Sequence, residues 1–376
     1  MARIVAVEDL VGPSVAGRGG NAMRVLQVLE SLRRLGHDVL FVEYLEEAPG
    51  TSVLEAFDSL VRGWWEPGRA ALLDAESAES YAGCSSDAVS AFAAGAHALI
   101  SLAAPFRREP WPLLEAVRPR ILLEQDPGYT HVWARDGDPL EIFGPQDVHF
   151  TVGLNVGTQR SAIPTDGAEW HPMMPPTVLD WWTPGGPIRR DRFTTVAAWR
   201  DYGYFEFEGR MLGPKVEEFE AFLELPERSG ESVELALAID PDDPDRDRLV
   251  AHGWRLEDPV IVDTPARFRD YVSGSVGEFS CAKGGYVGTR SGWFSDRSAC
   301  YLAAGRPVVL QSTGFEDVLP TGRGAIAVHD VEEAAAAIAA VRADYPSHAG
   351  AARELALRFL DGDRIMAEML VRAGVI

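Results

Sequence analysis

The first 45 residues alternate between two kinds of hydrophobic pattern. Residues 3–7 and 38–44 are short, continuous apolar runs of the kind that forms buried strands, and residues 21–35 between them repeat apolar side chains at helical spacing. A segment with four glycines, residues 12–20, separates the first run from the helical one. We therefore predict a βαβ unit, which requires a right-handed crossover and a parallel sheet.

The same alternation continues along the chain and is interrupted once. Residues 171–192 contain five prolines, a density that breaks helices and strands, and we interpret this segment as a hinge between two domains. Before it, further strands are predicted at residues 98–102, 120–124 and 148–154. After it, the pattern predicts strands at residues 193–199, 233–239, 260–262, 277–281 and 307–311. Helices are predicted there at residues 214–223, 247–251, 265–272 and 295–303, with a helical tail over residues 331–371.

The length of the chain agrees with this division. At roughly 150 residues per domain, 376 residues suggest two domains. The fold class we predict is α/β, with two Rossmann-like domains facing each other across a cleft, one over residues 1–180 and one over residues 190–350. Ligands of open α/β sheets bind at the carboxyl ends of the strands, so the cleft is the expected site.

Charge and cysteine content narrow the choice of partners. With 35 basic and 57 acidic residues, the net charge is −22, which repels nucleic acids and anionic membranes. The three cysteines show no CxxC spacing, so neither a disulfide framework nor a zinc site is expected. The chain shows no signal-peptide pattern and no apolar stretch of about 18 residues. We therefore expect a soluble, cytoplasmic protein with neither a nucleic acid nor a membrane as its partner.

One segment of the C-terminal half combines the features of an anion site. Residues 290–298, RSGWFSDRS, form a hydroxyl-rich turn at the start of a predicted helix. Free N–H groups and the positive end of the helix dipole meet there beside two arginines. The alternative is simple capping, in which Ser295 or Asp296 caps its own helix.

These motifs together resemble the glycosyltransferases of the GT-B fold, over both halves of the chain. GRGGN at residues 17–21, the helix after it and LGHDV at residues 35–39 are similar to the opening of such enzymes. GWFS at residues 292–295 and AAGRPVV at residues 303–309 are similar to their nucleotide-diphosphate segment. The resemblance implies a nucleotide-sugar donor such as a UDP-sugar, an acceptor of unknown identity, and a final helix over residues 351–376 that packs back onto the N-terminal domain.

The resemblance also implies roles for individual residues. The residues it places near the donor diphosphate are Ser291, Gly292, Ser295 and Arg297. Those it places near the transferred sugar are Gln311, Thr313 and Gly314. The glycine-rich loop of the N-terminal half comprises Gly19, Gly20 and Asn21.

Three cations and one tryptophan are further candidates for donor binding. Arg210 and Lys215, in GRMLGPK, resemble a basic pair aimed at the diphosphate, and the alternative is a surface pair at a helix start. Lys283 would add charge at the diphosphate or be a solvated lysine. Trp254 resembles a tryptophan whose ring stacks on the nucleotide base, whereas a core tryptophan is the alternative.

Two departures from the family pattern bear on the mechanism. Retaining members often carry two glutamates around the diphosphate helix, where this sequence has Gly292 and Cys300, and the HCG of many inverting members is also missing. We expect an inverting transfer, with Asp126 as the base and Asp9 and His149 in reserve. For Asp126, a turn-forming role before Pro-Gly is the alternative.

No required metal is expected, because this fold usually stabilises the leaving group with a helix dipole and cations. The acidic run at residues 240–245 is interpreted as an exposed loop. Other functions stay open at this point: a nucleotide-sugar epimerase of the same fold, a non-catalytic nucleotide-binding protein, and a bilobal solute-binding protein, which the missing signal peptide disfavours. The acceptor is open as well, and a small natural product is one of the candidates.

Overall fold

The computed structural model describes residues 1–12, 17–103 and 105–376, which form two α/β halves. The strands are β1 (Arg3–Val7), β2 (Asp38–Leu45), β3 (Ala70–Asp74), β4 (Ser80–Gly83), β5 (Ala98–Ser101), β6 (Arg120–Glu124), β7 (Val148–Thr151), β8 (Trp170–Pro172), β9 (Arg190–Ala198), β10 (Phe205–Phe207), β11 (Arg210–Leu212), β12 (Val233–Ala238), β13 (Arg255–Glu257), β14 (Ser275–Ser280), β15 (Val308–Gln311) and β16 (Ala325–Val328). The α-helices are α1 (Gly19–Arg34), α2 (Thr51–Trp64), α3 (Ser86–Ala93), α4 (Tyr129–Asp136), α5 (Pro139–Phe143), α6 (Lys215–Phe219), α7 (Leu225–Ser229), α8 (Asp245–Ala251), α9 (Pro265–Gly274), α10 (Gly284–Gly288), α11 (Asp296–Ala303), α12 (Val331–Ala343), α13 (Tyr345–Phe359) and α14 (Gly362–Arg372).

The N-terminal sheet has the strand order β4-β3-β2-β1-β5-β6-β7-β8. Its strands pair in parallel, apart from β4, which is antiparallel to β3. Ile4, Val5 and Ala6 of β1 are fully buried, as expected for a parallel sheet that is covered on both faces. The order reverses between β1 and β5, and at this switch point the last residues of the two strands, Val7 and Ser101, are paired.

The C-terminal sheet has the strand order β13-β12-β9-β14-β15-β16 and is parallel throughout. Its order reverses between β9 and β14, so it has a second switch point. A separate antiparallel hairpin, β10-β11, precedes α6. Each half therefore offers a crevice at the carboxyl ends of its central strands.

Helix α1 joins the two halves. Gly19 at its start lies so close to the C-terminal half that a Cβ there would be 2.3 Å from the carbonyl oxygen of Val262, so only glycine fits. Further along, Leu29 packs in the core of the N-terminal sheet. Met366 and Leu370 of α14 share that core. The last helix thus lies on the N-terminal half. The domain boundaries at residues 180 and 190 stay a prediction.

Most predicted elements are confirmed, one is wrong, and one is confirmed as helical but differs in its division. Residues 260–262 are not a strand: they belong to a 3₁₀ turn, Pro259–Val262, and the strand beside β12 is β13. The helical tail is divided into α12, α13 and α14 rather than continuous. Strands that the pattern did not predict are β3, β4, β8, β10, β11, β13 and β16, most of them short or at a sheet edge. No helix in the described part of the chain combines the length and apolar character needed to cross a membrane.

Candidate functional site

A cavity of about 970 Å³ lies where the carboxyl ends of the two sheets face each other. We call its two sides the N-terminal wall and the C-terminal wall. Charged and polar residues of the N-terminal wall include Glu8, Asp9, Arg18, Asn21, Arg24, Glu46, Glu47, Ser101 and Asp126. Those of the C-terminal wall include Asp201, Lys215, Lys283, Ser295, Asp296 and Arg297. Both halves thus contribute to the same cavity, at the position where open α/β sheets bind ligands.

Lys215 is the first residue of α6 and lines the C-terminal wall. It is 7% exposed, and no carboxylate of the described residues forms an ion pair with its ammonium group. Burial, with the positive charge of Arg297 as a second cause, lowers the pKa of Lys215 to about 7. An unpaired buried cation is costly, and an anion in the cavity would stabilise its charged form.

Arg297 on α11 lines the same wall but is already bonded on several sides. Its Nε donates to Oε1 of Glu278, a fully buried carboxylate on β14. Its Nη1 donates to the carbonyl oxygen of Val196 at 3.0 Å, and its Nη2 to Oγ of Ser280 at 2.8 Å. Arg297 therefore ties α11 to the C-terminal sheet while it contributes charge to the cavity.

Ser295 caps α11, because its Oγ accepts a hydrogen bond from the backbone N–H of Arg297 at 3.2 Å. The capping alternative raised by the sequence is thus confirmed. Ser295 also lines the cavity, so capping does not remove it from the site. The first turn of α11 lies at the C-terminal wall and includes Asp296, a carboxyl group whose pKa is raised by burial.

Asp126 follows β6 on the N-terminal wall and contacts residues of the C-terminal wall. Its Oδ1 accepts a hydrogen bond from the hydroxyl of Tyr286 and lies 3.5 Å from Nζ of Lys283. That ammonium group lies 3.6 Å from the ring centroid of Tyr202. Burial lowers the pKa of Lys283, and burial together with the charge of Asp126 raises the pKa of Tyr286. Sequence reasoning missed both tyrosines, because only the folded chain brings them to Asp126.

The predicted glycine-rich loop lies at the cavity together with Asp9. Gly19, Gly20, Asn21 and Asp9 all line it, whereas residues 13–16 of the same segment lie outside the described residues. The side-chain amide of Asn21 donates to the carbonyl oxygen of Asp9 at 3.1 Å. This bond holds the start of α1 against the end of β1.

Glu8 and Arg24 form an ion pair in the N-terminal wall that sequence reasoning did not single out. Nη2 of Arg24 donates to Oε1 of Glu8 at 2.9 Å and to Oδ1 of Asn21 at 2.8 Å. Burial raises the pKa of Glu8 to about 7, against the lowering effect of Arg24. The available signal was the position of Glu8 directly after β1.

Five of the predicted donor residues lie behind the cavity and do not line it. Gly292 donates its N–H to the carbonyl oxygen of Thr313 at 2.7 Å, and Thr313 Oγ1 donates to the carbonyl oxygen of Trp293 at 2.7 Å. The carbonyl oxygen of Gly314 accepts from the side-chain amide of Asn155, which comes from the N-terminal half, at 3.1 Å. The other two are Ser291, which is fully buried, and Gln311.

The side-chain bonds of these last two are also internal to the protein. Ser291 Oγ donates to the carbonyl oxygen of Tyr286 at 3.3 Å. The Gln311 amide donates to Glu218 at 2.6 Å and accepts from the N–H of Ala282 at 3.0 Å. The hydrogen bonds of all five residues thus go to other parts of the protein, and none of the five lines the cavity.

Arg210, Trp254 and His149 do not line the cavity either. Arg210 is exposed on β11 and donates to the carbonyl oxygen of Gly288 at 2.9 Å. Trp254 is 2% exposed, and its Nε1 donates to the carbonyl oxygen of Leu223 at 2.8 Å, so the core alternative is correct. His149 lies on β7 with its ring 5.0 Å from that of Trp170, and burial lowers its pKa. Packing against apolar side chains removes Trp254 and His149 from the site.

The structure is similar to solved glycosyltransferases over its whole length. An alpha-glucosyltransferase in complex with UDP and a 13-mer DNA containing a central A:G mismatch superimposes with a TM-score of 0.60, at 12% identity, over 100% of both chains. AviGT4, a glycosyltransferase involved in avilamycin A biosynthesis, superimposes with a TM-score of 0.58, at 11% identity, over 99% of this chain and 97% of that chain. Anabaena Alr3699/HepE in complex with UDP-glucose superimposes with a TM-score of 0.59, at 11% identity, over 99% of this chain and 100% of that chain.

The chain has the GT-B fold. The predicted fold class, two Rossmann-like halves facing each other across a cleft, is therefore confirmed. No protein-family model and no curated protein matches the sequence, so the GT-B fold is established through the structure alone.

The acidic run before α8 is part of the surface of this GT-B chain. Asp243 and Asp245 both accept hydrogen bonds from the guanidinium group of Arg200, at 2.7 and 2.6 Å. Among the described residues, no three side chains of the types that bind metals come together. The interpretation of this run as a loop is consistent with its contacts to Arg200.

Proposed function

We propose that this protein is a glycosyltransferase that transfers a sugar from a UDP-sugar to a hydroxyl group of a small-molecule or glycan acceptor. The observation that carries the proposal is Lys215, a buried cation that lines the cavity without a carboxylate partner in the described part of the chain. In a protein with a net charge of −22, an anionic ligand beside Lys215 would offset the cost of its burial and hold it in the charged form. A diphosphate is an anion that fits this position.

The surroundings of Lys215 support a diphosphate site. Lys283 and Arg297 line the same C-terminal wall, and the first turn of α11 brings the positive end of its dipole there. The alpha-glucosyltransferase and Alr3699/HepE, which have the same fold, are solved with UDP and with UDP-glucose. We propose that residues 190–350 form the donor domain and residues 1–180 the acceptor domain.

The reaction we propose is a direct displacement with inversion at the anomeric carbon. The acceptor oxygen forms a bond to that carbon while the bond to the UDP oxygen breaks, and the electron pair leaves with UDP. Asp126 takes the proton of the acceptor hydroxyl, with Asp9 as the second candidate, because both line the N-terminal wall. Gly292 and Cys300 stand where a glutamate pair would be expected in a retaining enzyme. We propose that Lys215, Lys283 and α11 stabilise the leaving diphosphate without a required metal.

The acceptor and the cellular setting complete the proposal. A cavity of about 970 Å³ is of the size that holds small ligands. AviGT4, of the same fold, is involved in avilamycin A biosynthesis. We propose a cytoplasmic enzyme of natural-product biosynthesis that does not act on nucleic acid.

Lys215→Met is expected to weaken UDP binding about 10- to 100-fold, because it removes a charge-assisted contact to the diphosphate while it keeps the volume of the side chain. Isothermal titration with UDP in EDTA measures the change. Arg210→Met is the matched control, because Arg210 belongs to the same sequence motif but lies on the exposed surface outside the cavity. Equal losses in both variants, or no UDP binding by the unchanged protein, would contradict the proposal.

The affinity for UDP is expected to fall as the pH rises above about 7. Lys215 is charged below its pKa of about 7 and neutral above it, and a diphosphate binds the charged form more tightly. Binding should therefore take up protons in this range, which titrations in buffers of different ionisation enthalpy measure. UDP also changes its protonation with pH, but it does so equally in the titrations of the unchanged protein and of Lys215→Met. A slope that is the same in the unchanged protein and in Lys215→Met would therefore show that Lys215 is not responsible.

A further inference from the structure

Two segments of the N-terminal half pack into the C-terminal half on one side of the cavity. The first is the start of α4, and the second follows β7. Both form hydrogen bonds to residues 284–292, which lie between β14 and α11. We call these contacts the interdomain joint, which comprises Tyr129, Leu154 and Asn155 of the N-terminal half and Gly285, Arg290, Ser291, Gly292 and Gly314 of the C-terminal half.

Asn155 binds the C-terminal half with both its backbone and its side chain. It is fully buried, and its backbone N–H donates to the carbonyl oxygen of Ser291 at 3.0 Å. Its side-chain Nδ2 donates to the carbonyl oxygens of Arg290 at 3.2 Å and Gly314 at 3.1 Å. One residue of the N-terminal half thus holds two separate turns of the C-terminal half.

Three glycines of the C-terminal half leave room for the joint. A Cβ at Gly292 would lie 2.7 Å from the backbone nitrogen of Asn155, and a Cβ at Gly314 would lie 2.6 Å from its Nδ2. A Cβ at Gly285 would lie 2.3 Å from Cε2 of Tyr129. These distances are too short for a side chain, so only glycine fits, and the two halves approach each other there as closely as their backbones allow.

The joint continues into two apolar clusters that contain residues of both halves. Leu154 belongs to the same buried cluster as Phe294. The ring of Tyr129 is fully buried in the other cluster, with centroid distances of 5.0 Å to Phe205 and 5.6 Å to Tyr286. Domains within one chain move relative to each other by default, but a hydrophobic interface opposes such movement. The apolar character of these contacts therefore favours a single arrangement of the halves.

The joint also lies beside the proposed base. Asp126 and Tyr129 belong to the same connection between β6 and α4. The hydroxyl of Tyr129 donates to the carbonyl oxygen of Gly213 at 2.5 Å and accepts from the N–H of Gly285 at 3.3 Å. Gly213 lies two residues before Lys215. Tyr129 thereby ties the segment of Asp126 to the segment that carries the buried cation of the other wall.

We infer that the interdomain joint holds the two halves in one fixed arrangement, and that Asn155 is a positioning residue that sets the distance between the two walls of the cavity. The cavity is therefore formed before a ligand binds. Residues 171–192 connect the halves but do not act as a moving hinge. The inference goes beyond the proposed function, because it concerns the arrangement of the halves and holds for any ligand of the cavity.

Pulsed electron paramagnetic resonance between two spin labels tests this arrangement on the full chain. The labels are attached to Glu55→Cys on α2 and Val250→Cys on α8, two exposed positions on elements outside the joint and the cavity. Cys84→Ser removes the native cysteine that is not buried. We expect one narrow distance distribution whose mean shifts by less than about 2 Å when UDP is added. A distribution with two peaks without UDP, or a larger shift with UDP, overturns the inference.

Asn155→Asp in the same labelled protein tests the joint itself. The carboxylate keeps the shape of the side chain but cannot donate to the carbonyl oxygens of Arg290 and Gly314, and it faces Oδ2 of Asp317, which lies 3.3 Å from Nδ2 of Asn155. We expect a broader distribution with a mean shifted by more than about 2 Å. Gln146→Glu is the matched control, because it makes the same change from amide to acid outside the joint, and it should leave the distribution unchanged.

Circular dichroism shows whether Asn155→Asp is folded. If it is not, Asn155→Ala takes its place, because it removes the amide without adding a charge. A folded Asn155 variant with the distribution of the unchanged protein overturns the positioning role.

Isothermal titration with UDP in the same samples separates this inference from the proposed function. A large UDP-dependent shift in a protein that binds UDP overturns the fixed arrangement and leaves the proposed function intact. If the unchanged protein does not bind UDP, the proposed function is overturned, and the distance distribution without ligand still tests the joint.

Discussion

Asp126→Asn is expected to lower kcat by about 10²- to 10⁴-fold, the usual contribution of a general base. The amide keeps the shape of the side chain but cannot take the proton of the acceptor hydroxyl. The affinity for UDP should not fall, because the substitution removes a negative charge that lies 3.5 Å from Nζ of Lys283, one of the cations proposed for the diphosphate site. Initial rates with a UDP-sugar and a competent acceptor measure the loss.

Tyr286→Phe separates the proton transfer from the position of the carboxylate. It removes the hydrogen bond that Asp126 accepts but leaves the carboxylate in place, so kcat should fall by less than about tenfold. If Asp126→Asn retains full kcat, the base is elsewhere on the wall. Asp9→Asn then tests the second candidate.

Arg297→Leu is expected to lower the free energy of unfolding by about 3 to 5 kcal/mol. The substitution leaves Glu278 as a fully buried carboxylate without its cation, and it removes the bonds of the guanidinium group to Val196 and Ser280. Urea unfolding followed by circular dichroism measures the change. Because this variant is expected to be less stable, its UDP binding has to be measured under conditions in which it is still folded.

The double variant with Glu278→Leu identifies the cause. Replacing both charges removes the buried unpaired carboxylate, so the double variant should be clearly more stable than Arg297→Leu alone. A double variant that is as unstable as the sum of the two single variants would show that the charges do not act as a pair.

Local patterns were sufficient to predict the elements that lie nearest to the site. The βαβ unit at the start of the chain was read correctly because its strands are continuous apolar runs and α1 has a helical repeat. The start of α11 was predicted from another local signal, the capping serine that precedes the helix. The hairpin β10-β11 was not predicted, because its strands are only three residues long each.

Residue identity alone could not separate cavity residues from their neighbours. Arg210 and Lys215 belong to one motif, yet one lies on the surface and the other is buried at the cavity. Trp254 has the residue type of a base-stacking platform, but Phe219 and Phe279 pack against it in the core. Its neighbours come from other elements, and no local pattern reports them.

By itself, the sequence determined that the protein is α/β, that its two main sheets are largely parallel, and where helix α11 begins in the C-terminal half. These features follow from periodicity and capping, which act over a few residues. Only the tertiary structure decided which side chains share the cavity. The contact of Asp126 with Tyr286 joins residues 160 positions apart in the chain, and long-range packing, not local preference, sets such distances. The same packing buries Lys215 at the cavity, where no carboxylate of the described residues forms an ion pair with it.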